Sequence, residues 1–366
     1  MSRILSIALC SIFLCSGGLQ AAEQDYAVVE TGNPVYRPNT VFSAQEDLTS
    51  PRFAGLVERY GLNEVVKGET DEFRRILLLR NWLHQRLVID KSRPAVEGDA
   101  LKMLEEGPKG GRYSCGHFEA VQNAVMNAMG YVTRCVLSGP DGEAPELTGH
   151  HGSNETWCNS LGKWVLIDAE LDSHFEKGGV PLSALEVRDS YLADGAAGVV
   201  RVEGPEKKPV ARSKYDQWGL TPKAYAFIGW RYQADHFTIW PKDGSSAEVV
   251  YDDQYFQTHT WYMNGAKHWA YATGYFQRVK DSAAIYWTPN ALEVKAGIEG
   301  ATVQVEINSC TPNLKEYQMK SAGGDWTPVE KSFRLALSKP RGEWRLRSVN
   351  LAGVAGPEYS LVIEKK

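Results

Sequence analysis

Apolar residues recur every three or four positions in the first third of the chain. In GETDEFRRILLLRNWLHQRLV, Phe73, Ile76, Leu77, Leu83 and Leu87 keep helical spacing. Thr70 is the expected N-cap, with Asp71 and Glu72 in the first turn, where the helix dipole favours acids. A shorter helix, DALKMLEEG, is expected to start at an Asp99 cap and stop at Gly107-Pro108, before a sharp approach through Gly110-Gly111. In CGHFEAVQNAVMNAMG, Phe118, Val121, Ala124, Val125 and Ala128 define one buried helical face. His117, Gln122, Asn123 and Asn127 lie off that face, and Gly130 ends the helix. The period then drops to two, and YVTRCVLSG, HGSNETWCN and KWVLIDAEL predict strands, the last two joined by Ser160-Leu161-Gly162. A helix packed on an antiparallel sheet is an α+β arrangement.

Alternation returns from Ile285 onward in LEVKAG, ATVQVEIN, LKEYQMKS, SFRLALS, WRLRSVNLAG and YSLVIEKK. It predicts a separate all-β sandwich of immunoglobulin or fibronectin type, although the Cys and Trp spacing is not that of an antibody-like domain. Between the two regions the chain is crowded with aromatics, including Trp230, Tyr232, Trp240, Tyr255, Trp261 and Trp269. Packing is the default reading of these rings, and a sugar-stacking surface is the other. Residues 23 to 45 are polar, with Pro34 and Pro38, and predict an extended arm. A chain of 366 residues accommodates several compact units. The expected division is 1–22, 23–195, 196–284 as a connecting region, and 285–366 as the sandwich.

The N-terminus, MSRILSIALCSIFLCSGGLQAAEQ, has the form of a cleavable secretory leader: Arg3, an apolar run from Ile4 to Cys15, then small residues ending near Ala21 or Ala22. Cys10 and Cys15 each follow a leucine, whereas a lipidation site wants a small residue there. The expected location is therefore secreted or periplasmic, with no membrane span. A formal charge of −5 offers no basic face for nucleic acid.

Six cysteines minus the two in the leader leave Cys115, Cys135, Cys158 and Cys310. An oxidising compartment permits bridges among them, but a chain of this size and apolar content does not need any. No Cys-x-x-Cys and no helical His-x-x-x-His is present, so neither a metal nor a cofactor is expected.

RYSCGHFEAV places Cys115 where a helix begins, and there the dipole and free backbone N–H groups favour a thiolate. The other fate of such a residue is that of a small buried hydrophobe. Strand alternation puts His151, Ser153, Glu155 and Trp157 on one face, and Trp164, Leu166 and Asp168 on one face of the next strand. If Trp157 pairs with Trp164, Ser153 falls opposite Asp168. His151 then lies diagonally from Asp168, about 7–8 Å away at the backbone and within reach of paired side chains.

These motifs resemble the transglutaminase-like family of cysteine hydrolases and acyltransferases over about residues 70 to 190. The family's nucleophile segment, glycine followed by an Arg-containing strand, histidine strand and Asp after a Trp are matched by RYSCGHFEAV, MGYVTRCVLSG, HGSNE and GKWVLID. The resemblance implies a papain/transglutaminase-like core with Cys115 as nucleophile, His151 as base and Asp168 as the acid that orients it. The pattern departs from the family at Tyr113, Ser153 and Ala169. His150 would exchange roles with His151 across a bulge, and His117 is expected to be a surface or substrate contact.

The backbone N–H of Cys115 is the expected oxyanion donor, with Tyr113 and Trp82 as candidates for the second. Cys135 and Cys158, on neighbouring strands of such a fold, are either bridged or two buried small residues. Cys310 is expected in a loop or at a strand end, without a partner. The sugar-acceptor pattern Asn154-Glu155-Thr156 is read as chance.

The expected function is that of a secreted cysteine protease, amidase or acyltransferase acting on protein, peptide or another amide-bearing polymer. It would work through a Cys-His-Asp triad and a thioester, with hydrolysis ahead of transamidation. The alternative is a catalytically silent protein that presents the same fold and sandwich to a polysaccharide or another surface.

Overall fold

The computed structural model describes residues 26–42, 45–87, 99–109, 113–140, 151–211, 221–231, 248–263, 266–267 and 276–366. The leader, Gly110-Gly111, His150, Tyr232, Trp240 and Trp269 lie outside the described residues.

Strand β1 (Tyr26–Val29) precedes a helical layer of α1 (Pro51–Tyr60), α2 (Leu62–Val65), α3 (Glu72–Arg86), α4 (Ala100–Glu106) and α5 (Cys115–Ala128). Then follow β2 (Thr133–Gly139), β3 (His151–Cys158), β4 (Lys163–Ile167), β5 (Ser173–Lys177), β6 (Val180–Pro181), α6 (Ala184–Asp194), β7 (Val199–Glu203) and β8 (Lys208–Pro209). The middle of the chain supplies β9 (Phe227–Arg231), β10 (Glu248–Tyr251), α7 (Gln254–Thr258), β11 (Tyr262–Met263), β12 (Ala266–Lys267), β13 (Phe276–Val279) and α8 (Ser282–Ile285). The last part is all strand: β14 (Leu292–Glu299), β15 (Thr302–Ser309), β16 (Leu314–Ser321), β17 (Thr327–Val329), β18 (Ser332–Ala336), β19 (Arg341–Asn350) and β20 (Tyr359–Lys365). The molecule is α+β, with several antiparallel sheets.

Asp71, not Thr70, caps α3, because its carboxylate accepts the Arg74 N–H at 2.9 Å. Asp99 caps α4 in the same way, at 3.0 Å from the Lys102 nitrogen. Helix α5 departs further from its expected form. It is buried on every side from Phe118 to Ala128, so Gln122, Asn123 and Asn127 are interior as well. The reason is its position: α1, α3 and α4 pack on one side of it, and β2 and β3 on the other.

The sheet beneath α5 has the order β13-β10-β9-β2-β3-β4 and is antiparallel except for the β10–β13 pair. Three of its strands, β9, β10 and β13, come from the stretch expected to be a connecting region, so the sheet crosses that boundary. Alternation divides its side chains between two cores. Cys158, Val165 and Ile167 pack toward the helices, whereas Trp157, Trp164, Leu166 and Trp230 pack on the other face. Trp230, Trp261 and Trp287 are fully buried, which assigns these aromatics to packing.

At the centre of the second core the Arg134 guanidinium is held by Glu155, with Nε and Nη2 donating to Oε2 at 3.0 and 2.7 Å. Nη1 donates to the Ile285 carbonyl at 2.6 Å, and Cζ lies 4.1 Å from the Trp164 ring centroid. Trp230 Nε1, the Ala184 N–H and the Tyr286 hydroxyl also donate to the Glu155 carboxylate. A buried pair so fully hydrogen-bonded locks β2, β3, β9 and the start of α6 together.

The C-terminal strands form two antiparallel sheets, β14-β15-β18 and β1-β20-β19-β16-β17, around one core that includes Val303, Val305, Ile307, Leu346, Leu361 and Ile363. The N-terminal arm enters this unit, since Tyr26–Val29 pairs with β20.

Candidate active site

Strands β3 and β4 pair with Trp157 opposite Trp164, the register expected from their alternation. Just outside the paired stretch, His151 Nε2 and Asp168 Oδ2 lie 2.6 Å apart. Both side chains are buried, with 6% of each exposed. The carboxylate is fixed on its other oxygen by the Leu171 N–H, which donates to Oδ1 at 3.0 Å. Asp168 and Ser173 then bridge through two backbone hydrogen bonds, so residues 169 to 172 close a tight loop with Asp172 at positive φ.

Burial by itself would push the His151 imidazole down. The charge of Asp168, its hydrogen bond and a hydrogen bond with Cys115 outweigh this and hold it well above its ordinary value. Burial likewise works to raise Asp168, but the charge and hydrogen bond of His151 leave its carboxyl below the usual range. An Nε2–H donated to the carboxylate leaves Nδ1 as the working atom of the ring.

Cys115 is the first residue of α5, is partly exposed, and carries a free thiol. Its sulfur, a His151 ring nitrogen and a Glu170 carboxylate oxygen all lie within 4.8 Å of one another. The helix start comes this close because residue 152 is glycine. A Cβ there would stand 2.9 Å from Glu119 Oε2 and 3.5 Å from the Cys115 carbonyl carbon. Asn154, one step along the same strand face, donates to the Glu119 carbonyl at 3.1 Å and ties α5 to β3. Asn154 is thereby buried and engaged, which leaves no room for a glycan.

Several neighbours have tasks other than those expected. The Ser114 N–H donates to His117 Nδ1 at 2.9 Å, so His117 completes the cap of α5 and is not simply a surface residue. Tyr113 donates its hydroxyl to the Met103 carbonyl at 3.2 Å, and Trp82 packs edge-on against Tyr60. Neither is thereby placed as an oxyanion donor. Cys135 and Cys158 are both buried and unbridged. Cys310 directly follows the end of β15 and is unbridged, as expected; its sulfur accepts the Asn39 N–H at 3.2 Å and lies 3.3 Å from the Tyr36 hydroxyl.

Two contributors escaped the sequence reading. Glu170, with Oε2 3.8 Å from His151 Nδ1, reaches the site only because the 168–173 loop closes. Tyr225 lines a small cavity with Asp168, and burial pushes its hydroxyl up to about 12. Behind α5, Glu119 and Glu248 flank Arg231. Burial raises both carboxyls, that of Glu248 to about 7, while the guanidinium charge pulls against it.

The chain matches no family model and no curated protein.

Proposed function

We propose that this protein is a transglutaminase-like cysteine hydrolase or acyltransferase that cleaves or exchanges amide bonds outside the cytoplasm. One observation carries the reading: a free cysteine at the start of a buried helix meets a histidine whose far nitrogen is held at 2.6 Å by a buried carboxylate. In this reading α5 and strands β2–β4 are the papain/transglutaminase-like core, and the two C-terminal sheets are kin to immunoglobulin or fibronectin sandwiches.

Cys115 gives its proton to His151 Nδ1, and the sulfur attacks the amide carbonyl. The helix-start N–H of Cys115 faces the developing oxyanion. His151 then protonates the leaving amine, and a thioester remains. Water releases an acid and a second amine forms a new amide, of which hydrolysis is the favoured outcome. Asp168 keeps the ring in the required tautomer throughout.

The test is mass-spectrometric mapping of iodoacetamide labelling at mildly acidic and neutral pH, in wild type and His151→Ala. Labelling of Cys115 that is fast in acid and collapses in the variant supports the proposal. Labelling as slow as that of Cys310 and indifferent to His151 overturns it.

A further inference from the structure

We infer that Cys115, His151 and Glu170 form a three-ligand site for a divalent cation of the zinc class, and that its occupancy silences the thiol. The silencing rests on the reading of Cys115 as nucleophile; the metal site does not. One sulfur, one imidazole nitrogen and one carboxylate oxygen within 4.8 Å of one another are the only such group among the described residues. A tetrahedral zinc ion, with Zn–S near 2.3 Å and Zn–N and Zn–O near 2.0–2.2 Å, needs its ligand atoms about 3.3–3.8 Å apart. His151 Nδ1 and Glu170 Oε2 already stand at 3.8 Å, so a small inward movement of Cys115 and Glu170 completes the half-shell.

The contact that orients the imidazole also suits a metal ligand. His151 engages Asp168 through Nε2, and this is how proteins orient a metal-ligating imidazole, by donating its other N–H to a carboxylate. The ring therefore presents Nδ1 toward the sulfur and Glu170. Thiolate, imidazole and carboxylate together select zinc over magnesium or calcium, which take all-oxygen shells. With Cys115 partly exposed and 19% of the Glu170 side chain open to solvent, the fourth position faces water. Binding forms one metal–sulfur, one metal–nitrogen and one metal–oxygen bond. The single proton shared by the thiol and Nδ1 leaves to solvent, and nothing is oxidised or reduced. The metal holds the sulfur lone pair that would otherwise attack a carbonyl.

The experiment uses the full, reduced protein after chelator treatment. It is titrated with Co²⁺ and followed by visible absorption, then with Zn²⁺ in competition. In parallel, iodoacetamide labelling of Cys115 is measured with and without Zn²⁺. The expected results are a thiolate-to-cobalt charge-transfer band at one equivalent, absent in Cys115→Ser, and protection of Cys115 by Zn²⁺. Glu170→Gln should weaken Zn²⁺ binding by about tenfold or more, and Asp168→Asn should weaken it by about 10–100-fold.

Absence of the band, or a band that survives both Cys115→Ser and Glu170→Gln, overturns the metal site. Fast, His151-dependent labelling in that case leaves the enzymatic reading standing. A cobalt band combined with slow, His151-independent labelling supports the metal site and removes the nucleophile instead.

Discussion

The charge balance at His151 is set first by burial and then by Asp168. Burial favours the neutral ring, and Asp168 reverses that preference, so Asp168→Asn lets the imidazolium lose its proton at lower pH. Labelling of Cys115 in mildly acidic solution is expected to fall in this variant and to recover in alkaline solution. Turnover of an amide substrate should drop by about 10²–10⁴-fold. Stability changes in a defined window. Asp168 is depressed in the fold, so its contribution is present above the unfolded carboxylate value, about 3.9, and is lost as pH falls through the folded value. His151 is raised, so its contribution is full below about 6.5 and is lost as pH rises through the folded value. The stability gap between wild type and Asp168→Asn should therefore be widest between those two pH values and narrow on either side. Urea midpoints across pH measure it, and a gap that does not vary with pH would remove the linkage. That His151 and Asp168 could meet was legible because alternation and the Trp157–Trp164 pairing leave one register. Glu170 was not legible, because its position depends on a loop closed by backbone hydrogen bonds that no local pattern announces.

Helix α5 and strand β3 meet at Gly152, and the spacing of those two elements sets the distance between thiol and imidazole. The Gly152→Ala methyl would overlap Glu119 Oε2, whose carboxyl is confined beside Arg231 at 3.6 Å, and would press on the Cys115 backbone. Helix and strand must then separate at the end that carries the site. The expected cost is about 1–3 kcal/mol of stability, together with a larger relative loss in Cys115 labelling, since the chemistry tolerates misplacement less than the packing does. Denaturant midpoints and labelling rates on the same samples decide between the two effects. Unchanged labelling would show that Gly152 does not govern the approach. The elements themselves were readable from periodicity, with an error of one residue at the α3 cap. What periodicity missed is that α5 has no solvent face: it shows which positions of a helix are apolar, not how many neighbours surround the rest. Gln122, Asn123 and Asn127 lie off the apolar stripe because they are polar, yet all three are buried, Gln122 donating to the Ile167 carbonyl of the sheet.

Long-range pairing joins the parts into one molecule, and it was the least legible feature. β2 pairs with β9, and β1 with β20, across chain separations that no window of sequence can span. The same holds for the contact between the C-terminal sheets and the end of α5. Gly130, at φ +83, leaves a space that a Cβ would fill against Ala352 and Val354. Asn350 donates from Nδ2 to the Gly130 carbonyl at 2.8 Å, and its Oδ1 accepts the N–H groups of Ala352 and Val354 at 3.1 and 3.0 Å. One buried side chain thus ties the last sheet to the helix that begins at Cys115. Asn350→Ala would leave the buried Gly130 carbonyl without its side-chain partner, a loss of about 1–3 kcal/mol, while water can replace Oδ1 at the part-buried N–H groups of Ala352 and Val354. Wild type should unfold in a single transition, with near-UV and far-UV circular dichroism coinciding. The variant should show a lower midpoint while folded protein still labels Cys115 at the wild-type rate, because the contact lies at the opposite end of the helix from the thiol. If the two probes separate in the variant, Asn350 is what couples the C-terminal sheets to the helical layer. If the midpoint does not move, the coupling resides in the packing of Ala352 and Val354 against Gly130.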